Sequence, residues 1–433
     1  MNPLYRNDAQ GTHPPSWYTA TADIPELRPA LDGSIKVDVA ILGGGYCGLW
    51  AAKTLAEKGH TVAVMEAHRV GFGASGRNGG QVGSGFNKDQ LWLEKHLGRH
   101  KARALWDLAE AAKTQVRDFI ATEAPEALYK PGVAHGVYSA KEARELQSYS
   151  TWLTDTYGYD AQTYFEVDDF RSMVKTPRYC GGIVDWRAGH IHPLRYALAL
   201  AKSAERAGAK IYEMTEVTEV SPGSKLRFVT PKGVVTAAQG VIAGNGYLPN
   251  LHPSLSAKVM PINSFIAATA PLDDQQEVLA HDIAVDDSKF VVNYYRMSED
   301  NRFLFGGRES YTLGFPKDIS SALRQRMVGL FPQLEDVEVT HVWGGTLGIT
   351  MRRLPFVAAL DRNLWAAGGF SGHGVALAGF SGSLIGKAII GETEQFDIIS
   401  NLPALSFPGG DRLRAPLLTL GMTWYALRDR LGL

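Results

Sequence analysis

The sequence predicts an α/β protein, α+β overall, in which a domain on a parallel sheet is interwoven with a second domain on a mixed sheet. Three observations point there. At 433 residues the chain exceeds one typical hydrophobic core. A strand, glycine turn, helix and strand follow one another from Val37 to Met65. The same signature returns near the end, at NLWAAGGFSGHGVALAGF, with strand-rich material inserted between the two.

Val37–Leu42 is nearly all apolar, as a strand buried on both faces must be. Leu49, Ala52, Leu55 and Ala56 place an apolar stripe on the following helix, Gly59 stops it, and Thr61–Met65 is the next buried strand. This is one βαβ unit, right-handed by the crossover rule. Helical patterns dominate from Lys88 to about Ser150. The segment GGIVDWRAGHIHPLRYALALAKSAERAGAKI reads as strand, loop and helix, with Pro193 at the first helical position and Gly208 ending it. KLRFVT and VVTAA flank Pro-Lys-Gly as a hairpin, and a further strand leads to Ala243–Gly246. Strands and turns alternate over 260–340, and a helix is expected over Val375–Ile390. The expected organisation is an arm over 1–35, a discontinuous nucleotide domain over 36–87, 188–258 and 340–400, a second domain over 88–187 and 259–339, and a C-terminal extension with an amphipathic helix over 401–433.

Apolar residues at 45% and charged residues at 21% are ordinary for a globular chain. Lys+Arg at 44 against Asp+Glu at 45 leave a net charge of -1, so no global field attracts nucleic acid or an acidic membrane. Two cysteines, Cys47 and Cys180, make a disulfide framework unexpected and fit a reducing compartment. The opening MNPLYRNDAQGTHPPSWYTA has no apolar stretch behind a basic start, and a cytoplasmic protein is expected.

The chemistry-bearing motif is Gly43-Gly44-Gly45-Tyr46-Cys47-Gly48, with Glu66 18 residues further on, at the end of the second strand. Gly43 suits the tight turn, Gly45 the approach of a pyrophosphate, and Gly48 the packing of helix on strand. The helix start offers N–H groups and partial positive charge to phosphates, and Glu66 can accept from ribose hydroxyls. This motif alone leaves NAD and FAD both open. Two further glycine-rich stretches, at Gly73–Gly80 and Gly368–Gly374, favour FAD. A second helix N-terminus late in the chain suits a flavin ring, whose reduction builds negative charge along N1 and the C2 carbonyl.

The runs VDVAILGGGYCGL and HRVGFGASGRNGGQ, the latter from His68 to Gln81, resemble the D-amino acid oxidase superfamily, and more narrowly its gamma-glutamylputrescine oxidase-like branch. SWY…LRPALDGSIKVDVAILGGG, WGGTLGITMRRLPFVAAL and GGFSGHGVALAGFSG extend the resemblance over most of residues 16–395. It implies an FAD-binding Rossmann-type domain, a mixed sheet over the flavin ring, and an FAD-dependent oxidoreductase acting on an amine. Candidate cofactor-binding residues are Gly43, Gly45, Tyr46, Cys47, Gly48, Glu66, Ala67, Gly73, Ala74, Ser75, Arg77, Asn78, Gly79, Gly80, Gln81, Val217, Gly244, Gly369, Gly372, His373 and Gly374. Candidates beside the reacting centre are His373, Tyr247, Trp343 and Phe370, with Tyr294 and Tyr295 as further tunnel aromatics. His190 and His192 read as a helix-capping loop rather than a metal site.

Three departures from the superfamily bear on substrate. Sarcosine oxidases attach FAD through a cysteine in a strand resembling Phe303–Arg308; no cysteine stands there, so noncovalent FAD is expected. Leu347 falls where glycine oxidase-like enzymes carry the arginine that clamps an α-carboxylate, which favours a plain amine end. Arg352 and Arg353 remain available to a distant carboxylate or sit in a solvated loop. The oxygen-activating lysine maps onto no residue. The expected reaction is oxidative deamination of a primary amine such as gamma-glutamylputrescine, with molecular oxygen as acceptor and ammonia and hydrogen peroxide released, in a monomer or homodimer. The alternatives are an amino-acid or N-methyl-amine oxidase or dehydrogenase of the same fold, linked to quinone through the C-terminal helix, and a nonenzymatic nucleotide-binding protein.

Overall fold

The computed structural model describes residues 3–248, 251–310 and 314–408. Two sheets organise them. The first holds eight strands among the described residues, with the central order Phe356–Asp361, Leu364–Gly368, Gly233–Ile242, Ile35–Leu42, Val62–Met65 and Lys210–Tyr212. From Leu364–Gly368 to Lys210–Tyr212 every neighbouring pair on this path is parallel. Leu226–Thr230 folds back antiparallel on Gly233–Ile242, the expected hairpin.

The second sheet holds nine strands among the described residues. Its path runs Val339–Ile349, Met260–Pro271, Arg302–Ser310, Tyr294–Met297, Ala284–Asp287, Lys130–Gly136, Gly182–His190 and Gln81–Val82. Helices dominate from Lys88 to Ser150 as expected, and the strand Lys130–Gly136 is the element within that span that the helical reading did not include. It lies between the helices Arg99–Glu123 and Ala140–Tyr157, and Pro131, Gly132 and Gly136 obscure it. The strand forms because its backbone pairs with Gly182–His190 on one side and Ala284–Asp287 on the other.

Helix Tyr46–Ala56 follows the first strand and packs against the late helix Gly374–Ile389. Contact is close because a Cβ on Gly382 would lie 2.0 Å from the Cys47 carbonyl oxygen, and one on Gly379 2.5 Å from the Trp50 ring. Glycines on the facing stripe let the two backbones approach, and both helices start at the same cavity. The N-terminal arm lies over the body. Trp17 and Tyr18 are buried, the Tyr18 ring stands 5.1 Å from that of Trp343, and Asp8 bonds Arg77 at 2.9 Å. Among the described residues no helix is long and apolar enough to cross a membrane. The amphipathic segment expected over 413–433 lies outside the described residues.

Candidate active site

One cavity of about 1100 Å³ runs between the two sheets. Its first end is built by the turn after Ile35–Leu42. Gly43 adopts φ 109°, and its N–H donates to the Met65 carbonyl at 2.9 Å. A Cβ on Gly48 would lie 2.0 Å from the Gly43 carbonyl oxygen, so helix and turn pack only without one. The N-cap residue Gly45 has no side chain to cap the helix, and the positive end of the helix dipole lies at the cavity. Glu66 accepts from Gly44 N–H at 2.8 Å and His68 N–H at 3.0 Å. Burial pushes its carboxyl up to about 6, with Glu213 adding to the rise and the backbone N–H groups opposing it.

The second glycine-rich stretch forms the floor. Ser75 Oγ accepts from Tyr46 N–H at 3.0 Å, and Asn78 donates to the Ala74 and Ser75 carbonyls and accepts from Gly80 N–H. Arg77 is buried and reaches three pieces of chain: Asp8 of the arm, the Phe72 carbonyl, and the Gly344 carbonyl of the second sheet. One arginine thus holds the arm, the loop and the roof in register.

The late turn forms the opposite wall. Gly369 and Gly372 adopt φ 69° and 88°, and Gly369 N–H donates to Asn245 Oδ1 at 2.9 Å. His373 is the N-cap residue of Gly374–Ile389 and makes no side-chain cap bond. Burial lowers its pKa, against weaker opposing pulls from the Asp286 charge and the Gly85 and Ser84 backbone. Its Nε2 is buried without a hydrogen-bond partner among the described residues. Tyr247 accepts from Thr346 N–H at 3.3 Å, and its ring lies against Gly73.

Most sequence-predicted residues meet in this cavity: Gly43, Gly45, Tyr46, Cys47, Glu66, Ala67, Gly73, Ala74, Ser75, Arg77, Asn78, Gly79, Gln81, Val217, Gly244, Tyr247, Tyr294, Phe370, Gly372, His373 and Gly374 line it. Gly48, Gly80 and Gly369 stand one step behind, shaping the turns. Trp343 does not line it. Its indole donates to the Arg77 carbonyl at 3.0 Å and packs on Tyr18, which makes it a support under the loop. Tyr295 also points away: period-two alternation sends it into the core with Phe303, Phe305 and Phe331 while its neighbour Tyr294 faces the cavity. His192 caps its helix, accepting from Arg195 N–H at 3.2 Å.

Sequence reasoning missed the row on the roof. His135, Asp286 and Tyr294 are successive register partners across three strands, and all three line the cavity. The next partner, Gly306, makes room for the Tyr294 ring, since a Cβ there would lie 2.1 Å from it. His135 Nδ1 meets Asp286 Oδ1 directly. Burial alone would lower the His135 pKa, but the Asp286 carboxylate raises it beyond that. Asp287, one residue on, is tied by Tyr138 at 2.6 Å and Asn293 at 2.5 Å, leaving Asp286 as the acid paired with His135. Leu347 lines the wall, so an apolar residue stands where an arginine clamp would be needed for an α-carboxylate.

A glycine-turn helix start, an acid closing the second strand and a second open helix start on one elongated cavity define a dinucleotide-binding oxidoreductase fold. The FAD dependent oxidoreductase (DAO) family model matches residues 38–388, and the chain belongs to that family. The chain is 42% identical over 419 residues to a probable oxidoreductase, OrdL, of Rhizobium meliloti (strain 1021), covering 96% of this chain and 97% of that one. It is 35% identical over 427 residues to the gamma-glutamylputrescine oxidoreductase of Escherichia coli (strain K12), covering 97% and 99%. The crystal structure of glycine oxidase from Geobacillus kaustophilus superposes with a TM-score of 0.68 at 23% identity over 82% of this chain and 95% of that one, which shows the shared fold. The protein is an FAD-dependent oxidoreductase. The cavity suits that cofactor on its own evidence: two helix starts whose N-cap residues, Gly45 and His373, make no side-chain cap bond open on one elongated space.

Proposed function

We propose that the protein is an amine oxidase that uses molecular oxygen and water to deaminate a primary amine, of the gamma-glutamylputrescine type, to the aldehyde, releasing ammonia and hydrogen peroxide. The observation that carries this reading is the wall composition. Leu347 offers no anion clamp, whereas Asp286 offers a carboxylate on the same cavity. A cationic amine is drawn to such an acid, and an α-carboxylate is not. Relatedness to the gamma-glutamylputrescine oxidoreductase supports the substrate class.

Glu66 and the start of Tyr46–Ala56 would hold the adenosine and pyrophosphate of FAD, and the turn at Gly372–Gly374 would face its ring. Bound there, FAD supplies a two-electron acceptor for the carbon bearing the amine. Asp286 draws the substrate ammonium inward, and the His135–Asp286 pair holds the proton that the amine must lose. Tyr247, Tyr294 and Phe370 present ring faces that guide the cation and exclude water. FAD is held without a covalent bond: burial pushes the Cys47 thiol up to about 12, which keeps it unreactive, and Cys180 Sγ lies at the Tyr138 carbonyl. Two free cysteines fit the cytoplasm.

Purified protein given gamma-glutamylputrescine should release peroxide and ammonia together, and acid precipitation should leave the yellow colour in the supernatant. Turnover of glycine or sarcosine with silence on gamma-glutamylputrescine overturns the assignment.

A further inference from the structure

Arg353 occupies an unusual place. It sits in a turn that is fixed from several sides: its N–H donates to the Thr350 carbonyl at 3.1 Å, Thr350 Oγ1 donates to the Leu354 carbonyl at 2.7 Å, and Thr350 N–H donates to Ser371 Oγ at 3.2 Å. Arg353 itself adopts φ 59°, the left-handed region that an arginine rarely enters. Six non-glycine residues have positive φ among the described residues, and three of them, Asn245, Arg353 and Ser371, line the cavity. Such conformations concentrate where the surroundings hold a functional group in place.

What the turn presents is a guanidinium on the cavity wall. It lies 5.1 Å from the Phe290 ring centroid, and Phe290 lines the cavity from the loop after Ala284–Asp287. Arg353 makes no ion pair among the described residues. Arg77, another cavity-lining arginine, is by contrast occupied by Asp8. Met351, two residues before, is 45% exposed, which places the turn where the cavity meets solvent. A planar cation braced on an aromatic face, with its donor edge uncommitted, is suited to a carboxylate.

We infer that Arg353 is a specificity-determining residue that docks a carboxylate carried by the substrate away from the reacting amine. The inference rests on the amine-oxidising reading above and deepens it. Leu347 and Asp286 on the cavity wall favour an amine over an acid, while Arg353, in the turn beside exposed Met351, offers the acid its partner. The preferred substrate is then an amine with a carboxylate at its other end, rather than a simple diamine.

The test compares gamma-glutamylputrescine with 4-aminobutanoyl-putrescine, the same molecule lacking the α-carboxylate. The holoprotein should favour the first in kcat/KM by roughly 10- to 100-fold, the range of one strong charged contact. Arg353→Asn, chosen because asparagine tolerates positive φ, should erase that preference through KM and leave the second compound unchanged. Arg353→Lys should restore part of it. Equal turnover of the two compounds by the unaltered protein, or a preference that survives in Arg353→Asn, overturns the inference and leaves amine oxidation standing. Calorimetric titration of the holoprotein with glutarate separates the two failures, because glutarate needs no turnover. If neither amine is oxidised, the proposed substrate class falls, yet glutarate should bind and weaken at least tenfold in Arg353→Asn. No glutarate binding, or equal binding to both proteins, overturns the role of Arg353.

Discussion

His135 and Asp286 are register partners on adjacent parallel strands, and the imidazole Nδ1 meets the carboxylate Oδ1 on the cavity face of the sheet. Burial lowers the His135 pKa, and the facing Asp286 carboxylate, helped by Asp287 and Glu142, more than reverses that and leaves it raised. A raised folded pKa means that the pair stabilises the fold fully below the unfolded histidine value, about 6.5, and loses that contribution as pH rises through the folded value. Asp286→Asn should remove the strongest of the pulls that oppose burial, leaving only Asp287 and Glu142, and so lower the His135 midpoint, read by NMR titration of its ring protons. The same variant should lower kcat/KM for a cationic amine roughly tenfold. An unmoved midpoint would show that the carboxylate does not govern the imidazole.

Glu66 titrates in the opposite sense to most carboxylates. Burial holds its folded pKa at about 6, above the unfolded value, so the apoprotein gains stability as pH falls through that range. Glu66→Gln should flatten this pH dependence and leave the apoprotein at least as stable at neutral pH. It should nevertheless weaken FAD binding roughly 10- to 100-fold, because the charged acceptor for ribose is gone. Denaturant melts of apoprotein and flavin-release titrations separate the two effects. A variant that binds FAD as tightly as the parent removes Glu66 from the cofactor site.

Gly382 tests the crossing that brings the two helix starts together. Replacement by alanine gains about 1 kcal/mol of helix propensity. Its Cβ, however, would lie 2.0 Å from the Cys47 carbonyl oxygen, a backbone atom that cannot step aside alone. Overpacking of this kind costs about 1–3 kcal/mol, so a net loss is expected in chemical denaturation. A stability gain would mean that the helices are not in the close contact described.

Leu347→Arg should install the clamp that the wall lacks. Activity toward glycine or sarcosine should appear, and kcat/KM for gamma-glutamylputrescine should fall, since a guanidinium at that wall repels the incoming ammonium. Unchanged selectivity would show that Leu347 does not face the substrate.

The dinucleotide half of the site was legible because its signals are local. Gly43–Gly48, Glu66 and the Gly368–Gly374 turn announce themselves within a few residues of a strand end. The roof was not legible, because it is made by pairing. His135 and Asp286 lie 151 residues apart, and the strand carrying His135 contains Pro131 and two glycines, Gly132 at φ 105° and Gly136, which read in sequence as a turn. Alternation could have separated Tyr294 from Tyr295, had the strand Tyr294–Met297 been assigned a buried face. Trp343 looked like a tunnel residue in sequence; only the Arg77 carbonyl and the Tyr18 ring, both distant in the chain, explain its burial.

The most direct test of the whole account is anaerobic mixing of the purified yellow protein with gamma-glutamylputrescine while its visible flavin absorbance is followed. The flavin should bleach fully within the time of turnover, and the oxidised spectrum should return with peroxide when air is admitted. A colourless preparation, or an oxidised flavin spectrum that gamma-glutamylputrescine leaves untouched, would contradict the account.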